Sequence, residues 1–156
     1  MTDRKFMERA IELAGKGMAS NSGGPFGAVV VKDGIIISEA SNRVTSENDP
    51  TAHAEVLAIR EACKKLGTYT LDGCTIYTSC EPCPMCLGAI YWARPAAVVY
   101  ACDRSDAAGA GFDDRFIYDE ISLDMGSRSI PFTQTMREEA LPLFTEWQEK
   151  EDAERY

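Results

Sequence analysis

The stretch Thr51–Glu55 (TAHAE) is answered, thirty residues on, by Pro82–Cys86 (PCPMC), and His53 in the first stretch is the only histidine in the chain. One imidazole and two thiolates, from His53, Cys83 and Cys86, are three good ligands for zinc. Three protein ligands leave the fourth tetrahedral position open, which is the arrangement of a catalytic rather than a structural site. Any fold this chain adopts must bring the two stretches to one point, and the spacing restricts how. Residues at i and i+2 diverge by about 200° around a regular helix, so His53 and Glu55 can face one ion only from a helix's first, open turn. The Asp49-Pro50-Thr51 entry predicts such a start for a helix over residues 52–66, ended by Gly67. Pro82 and Pro84 suit the first turn of a second helix running through Arg94. There Cys83 and Cys86, at i and i+3, share a face where the helix dipole favours thiolate over thiol. Both ligand sets are therefore expected at helix N-termini, with Glu55 as the base beside the metal.

The other elements follow from periodicity and turn chemistry. Residues 3–19 place Phe6, Ala10, Leu13 and Ala14 at helical spacing, which predicts an amphipathic opening helix. Asn21–Pro25 (NSGGP) is a glycine-rich turn, weak as a phosphate loop because neither a Lys-Ser/Thr pair nor a helix follows it. Phe26–Val31 and Ile35–Ala40 read as strands joined by a hairpin turn at Lys32-Asp33-Gly34. Asn42–Pro50 is polar and turn-rich. Cys74–Ser79 reads as a buried strand and Ala96–Cys102 as another apolar strand, so residues 52–102 alternate helix, strand, helix, strand. That order implies parallel pairing with helical crossovers, attached to the antiparallel hairpin. Beyond it the pattern predicts a loop over Asp103–Asp114, a short helix over Phe116–Ile121, a short edge strand over Ile130–Met136 and a charged closing helix over residues 137–155.

Composition narrows the range of functions. With 156 residues and 45% apolar content, the chain is expected to form one domain, 1–156, with an ordinary core. A net charge of −9 without a Lys/Arg cluster disfavours a nucleic-acid partner. The N-terminal MTDRKFMERAIELA lacks an apolar signal core and no run reaches membrane-spanning length, so a cytoplasmic protein without a membrane partner is expected. Six cysteines do not make a disulfide scaffold in a chain this well supplied with core residues. Cys63, Cys74 and Cys102 fit buried apolar patterns. Cys80 forms an overlapping Cys-x-x-Cys with Cys83 and could close the metal site as a fourth ligand, but it stands at a strand end before Pro82, and a closed site would leave Glu55 without a task.

His-x-Glu followed by Pro-Cys-x-x-Cys is the signature of zinc-dependent nucleobase deaminases. The chain resembles the cytidine and deoxycytidylate deaminase superfamily in GGPFGAVV, Asn42, DPTAHAE, TSCEPCPMC and GAIYWAR, in that order. It is similar in particular to the small bacterial guanine deaminases, through NDPTAHAEV, SCEPCPMCLGAIYWARP, DAAGAGFDD and a C-terminal Tyr. Deaminases of tRNA adenosine and yeast-type cytosine deaminases carry nearly the same metal motifs, and a non-catalytic zinc module that binds a partner is the alternative of a different class.

The resemblance implies a three-layer α/β/α domain with a central mixed five-stranded sheet, one Zn²⁺ per subunit and a homodimer. It also implies hydrolytic deamination of guanine to xanthine and ammonia. His53, Cys83 and Cys86 hold the metal, which makes hydroxide available near neutral pH. Glu55 takes the water proton, delivers it to the ring nitrogen beside the amino-bearing carbon and later protonates the departing amine. Asn42 and the backbone N–H of Ala54 bind the base edge, and Phe26 packs on the ring. On residue type alone Phe26 is equally a core aromatic and Asn42 a turn former. Guanine presents N1–H and a 2-amino group, both donors, so Asp113 and Asp114 in GFDD are candidate acceptors, Asp114 foremost. The tail EKEDAERY is either a solvated terminus or, through Tyr156, a lid on the pocket, with residues 137–156 closing the site. Tyr91 and Trp92 fit either a core or a dimer face.

Overall fold

The computed structural model describes residues 4–156, so Asp3 of the expected opening helix lies outside the described residues. The chain forms two compact units, the first reaching Arg115 and the second spanning Phe116–Tyr156.

In the first unit, α1 (Arg4–Ala19) leads into β1 (Gly27–Lys32) and β2 (Ile35–Ser41). Asp33 and Gly34 between the strands both have positive φ, 51° and 75°, as a two-residue hairpin turn that matches strand twist requires. The one-turn helix α2 (Val44–Glu47) interrupts the polar connection before α3 (Ala54–Leu66). Gly67 ends α3 in the left-handed conformation at φ 65°, and Thr68 N–H donates to the Cys63 carbonyl at 3.1 Å, as in a Schellman cap. Then come β3 (Thr75–Cys80), α4 (Pro84–Ala93), β4 (Ala97–Cys102) and α5 (Arg104–Gly109).

The strand order is β2-β1-β3-β4. β1 pairs antiparallel with β2 and β3, whereas β3 pairs parallel with β4 across the α4 crossover, as the helix-strand alternation predicts. Both faces of β1 are covered. Ala28 and Val30 pack with Ile76, with Ala54, Ala58 and Ala62 of α3, and with Ile90 and Ala93 of α4. Val29 and Val31 pack on the other face with Tyr77 and with Phe6 of α1. The first unit is thus three layers, helix on sheet on helices.

The remaining chain forms α6 (Arg115–Ser122), a 3-10 turn at Met125–Ser127 and α7 (Arg137–Glu149). Three expectations require correction. The sheet has four strands among the described residues, not five. The segment Ile130–Met136 joins no ladder: Pro131 has no N–H to donate, and Met136 turns to φ 53° to begin α7. The expected loop over 103–114 contains α5, nucleated by a capping box in which Asp103 accepts from the N–H groups of Ser105 and Asp106 while Asp106 accepts from Asp103 N–H.

Gly27 is the tightest seat of α1 on the sheet, since a Cβ there would lie 2.2 Å from the Ala10 carbonyl oxygen and 2.7 Å from Ala14 N. Backbone cannot yield as a side chain can. Gly27→Ala is therefore expected to destabilise the protein by about 1–3 kcal/mol, read as a lower urea midpoint at unchanged slope; an unchanged midpoint would show that α1 does not sit on β1 in this way.

Candidate active site

Two helix starts build the site. His53 is the N-cap of α3, in extended conformation at φ −72° and ψ 150°, and Cys83 is the N-cap of α4 at φ −66° and ψ 169°. Pro84 occupies the first helical position of α4, where a missing N–H costs nothing. Each cap carbonyl closes its first turn: Leu57 N–H donates to His53 at 3.0 Å and Leu87 N–H to Cys83 at 2.8 Å. The side chains of both N-caps are thereby left to meet each other instead of capping their own helices.

They do meet. Cys83 Sγ and Cys86 Sγ each lie 3.5 Å from His53 Nδ1. A tetrahedral zinc shell, with Zn–S about 2.3 Å and Zn–N about 2.0–2.1 Å, sets sulfur and nitrogen about 3.6 Å apart. The observed separations fit that shell, and the three ligand atoms lie within 4.8 Å of one another. Cys80 does not join them in that group. Its thiol, pushed up to about 11 by burial, donates to the Asp103 carbonyl at 3.5 Å. The ligand set is therefore three protein atoms, the open arrangement.

Protonation in the ligand cluster reflects these contacts. The hydrogen bond from Cys86 and then that with His53 favour the Cys83 thiolate, whereas the same bond to Cys83, together with burial, holds the Cys86 proton on. The His53 pKa is raised by the Cys83 hydrogen bond. The two thiols thus share their protons as a pair.

Glu55 is 5% exposed. Its Oε1 accepts from Thr78 Oγ1 at 3.0 Å and its Oε2 from Cys86 Sγ at 3.4 Å. Burial raises its pKa. A carboxylate so placed, beside a three-ligand metal site, can take up and return a proton. Ala54, the first residue of α3, is buried, and helix geometry leaves its N–H without an intrahelical acceptor.

The substrate-binding candidates fall into place unevenly. Asn42 is buried, and its Oδ1 accepts from the N–H groups of Gly24 at 3.2 Å and Val44 at 3.1 Å. Its amide therefore has only N–H donors left to offer. Asn42 N–H donates to the Phe26 carbonyl at 3.0 Å, and Arg43 N–H donates to Ala52 at 3.0 Å, which ties this strand end to the entry of α3. The Asn21–Pro25 turn wraps Asn42 closely: a Cβ at Gly23 would stand 2.2 Å from Asn42 Oδ1. Phe26 meets Phe112 edge-on, with ring centroids 4.9 Å apart. Asp114 is half-buried, and its pKa is raised by burial and then by negative charge at Cys83, within whose electrostatic reach it lies. Asp113 is exposed and accepts from Arg115 N–H at 2.9 Å, a local helix-start contact. Tyr156 belongs to the second unit and is 73% exposed.

Three contributors were not found by sequence reasoning. Thr78 lies in a strand read only as apolar, although its period-2 position, with Ile76 and Cys80, turns it toward α3. Phe112 stands beside Asp113 in a stretch read only for its acids. Glu81 accepts from Arg104 Nε at 3.1 Å and Arg104 N–H at 3.0 Å, and donates its own N–H to Cys102 at 2.8 Å, which clamps the loop before Cys83 to the start of α5. No spacing rule links Glu81 to Arg104.

The chain belongs to the cytidine and deoxycytidylate deaminase family: the pattern of that family's zinc-binding region matches residues 1–102. Within the family, it is 58% identical over all 156 residues, and over the whole of the relative, to the guanine deaminase of Bacillus subtilis. The X-ray structure of that enzyme superposes with a TM-score of 0.97 at 58% identity, covering 100% of this chain and 99% of that one. A tRNA-specific adenosine deaminase of the same organism is 48% identical over 99 residues, 63% of this chain and 60% of the relative.

Purified protein is expected to carry one zinc per chain by elemental analysis. Cys83→Ser should weaken zinc binding by more than about tenfold, whereas Cys80→Ser should leave the stoichiometry at one. Loss of zinc in Cys80→Ser would mean a closed four-ligand site.

Proposed function

We propose that the protein is a zinc-dependent aminohydrolase that converts guanine and water to xanthine and ammonia. The observation that carries this reading is the likeness to a guanine deaminase across every residue, including the stretch beyond residue 102 that contains Asp114 and Tyr156, whereas the tRNA adenosine deaminase likeness spans 63% of the chain. The net charge of −9 supports a free base over a polyanionic RNA.

His53, Cys83 and Cys86 would hold zinc, which would supply Lewis-acid activation of water at neutral pH. Glu55 takes one proton from the attacking water and delivers it to the ring nitrogen beside C2, then takes the proton of the newly formed hydroxyl and delivers it to the amine, which leaves as ammonia. Burial raises the pKa of Glu55, which makes it a better proton acceptor than an exposed carboxylate. Asn42, whose Oδ1 is occupied, presents amide N–H donors to the acceptors of the purine edge. The Ala54 N–H at the start of α3 adds another donor. Phe26 packs on the ring, braced edge-on by Phe112. Asp114 supplies the acceptor that guanine's N1–H and 2-amino group need.

The protein is read as one functional domain over residues 1–156 and as a homodimer. The first unit exposes Tyr91 (76%) and Trp92 (66%) on α4 and Tyr100 (52%) on β4, and residues 116–156 expose Phe144 (68%) and Leu143 (64%). Exposed large apolar side chains are a feature of interaction surfaces. Sedimentation at micromolar concentration should give twice the chain mass, and a monomer there would count against the dimer. We also place the protein in the cytoplasm, supported by six free thiols and by the absence, among the described residues, of a helix long and apolar enough to cross a membrane. Recovery in a periplasmic or membrane fraction would contradict that placement.

The deciding experiment is ammonia release by zinc-loaded protein from guanine, adenine, cytosine, cytidine and a tRNA anticodon stem. Turnover confined to guanine is expected. Glu55→Gln should lower kcat by about 10²–10⁴-fold, the usual contribution of a positioned acid-base group, with zinc retained. Asp114→Asn should lower guanine kcat/KM, and an unchanged value removes that residue from the pocket. Turnover of another base instead would overturn the guanine assignment.

A further inference from the structure

Thr78 is 1% exposed, on the β3 face that packs against α3. Its hydroxyl stands 3.0 Å from Glu55 Oε1 and 3.0 Å from the Cys80 carbonyl oxygen. A hydroxyl has one proton and can donate it to only one of these acceptors. The Cys80 carbonyl, two residues along the same strand, would by itself satisfy the group, as Thr side chains commonly bond to nearby backbone. The presence of a carboxylate at the same distance therefore adds something that burial alone does not require. A carboxylate is the stronger acceptor, so the proton goes to Glu55.

Resting on the reading of Glu55 as the group that moves the proton, we propose that Thr78 is a positioning residue that fixes which oxygen of Glu55 takes part in the reaction. The hydroxyl holds Oε1 against β3, and Oε2 is left turned toward Cys86, 3.4 Å away, and so toward the metal ligands. When Oε2 carries the proton, Oε1 is a neutral carbonyl oxygen that competes with the Cys80 carbonyl for the Thr78 hydroxyl at the same 3.0 Å. The tether is therefore strongest while Glu55 is the carboxylate that takes the proton, and it sets which oxygen receives it. Thr78 itself exchanges no atom with substrate.

The test uses full-length, zinc-loaded protein and whichever base the unmodified enzyme deaminates. It compares Thr78→Val, which keeps the shape and loses the hydroxyl, with Thr78→Ser, which keeps the hydroxyl; kcat, KM, zinc per chain and thermal midpoint are measured for each. Thr78→Val should lower kcat by about 10- to 100-fold, the usual cost of losing a supporting partner in a metal site, with KM within about threefold and zinc unchanged. Thr78→Ser should stay within about threefold of the unmodified kcat. In a Glu55→Gln background Thr78→Val should cost nothing further, whereas a merely structural role would lower activity in both backgrounds. If the valine variant does not fold, Thr78→Ala carries the same readouts. Thr78→Val at full kcat, Thr78→Ser as impaired as Thr78→Val, or an equal loss in both backgrounds overturns the proposal. Unmodified protein that deaminates a base other than guanine overturns the substrate assignment alone, because Thr78 is then judged on that base, whereas full activity of Glu55→Gln overturns the role of Glu55 and with it the proposal for Thr78.

Discussion

A carboxylate sealed into a protein core is costly unless its oxygens find partners, and Glu55 is such a group in the first turn of α3. Much of the first unit is arranged around it. β3 supplies Thr78 as donor to one oxygen, and the other lies 3.4 Å from Cys86 Sγ on α4, so the strand, its crossover helix and α3 meet at one side chain. The core of Ala54, Ala58 and Ala62 against Ala28, Val30 and Ile76 lets α3 approach the sheet closely enough for the hydroxyl of a strand residue to reach a carboxylate on the helix.

The metal ligands depend on the same approach. His53 and Cys83 are both N-caps in extended conformation, and neither side chain caps its own helix. That choice forgoes roughly 1 kcal/mol of capping at each helix, and leaves an imidazole and a thiol free to face one another at 3.5 Å. Negative charge on Cys83 is favoured at a helix start, whereas the bond to Cys83 and burial hold the Cys86 proton on. The site thus uses the first turns of two helices twice, for their geometry and for their electrostatics. Elsewhere Gly27 lets α1 press against β1, and Glu81 clamps Arg104 just before Pro82 and Cys83.

Much of this was legible without coordinates because the signals are local. The first-turn placement of His53 and Glu55 follows from helix periodicity, the start of α4 from its prolines, the hairpin from Asp33-Gly34, and the parallel pairing of β3 with β4 from the crossover between them. The errors came where a local pattern needed a distant partner or concealed a local one. Ile130–Met136 reads as a short edge strand, yet a strand exists only where a ladder accepts it, and Pro131 has no N–H to offer one. The Asp103 and Asp106 capping box sat unread in a stretch whose glycines and alanines resemble a loop.

By itself the sequence determined the donor set, the likeness to a deaminase family and the helix starts on which the donors sit, because ligand chemistry, caps and turns are encoded within a few neighbouring residues. Only the tertiary structure decided that Cys80 turns to the Asp103 carbonyl instead of to the metal ligands, that Asn42 spends its oxygen on Gly24 and Val44 and keeps its N–H donors, that Phe112 backs Phe26, and that Thr78 holds Glu55. Each of these contacts joins residues from separate stretches or selects between two acceptors within reach. Such choices depend on distances of a few tenths of an ångström, set by how the sheet and its helices pack.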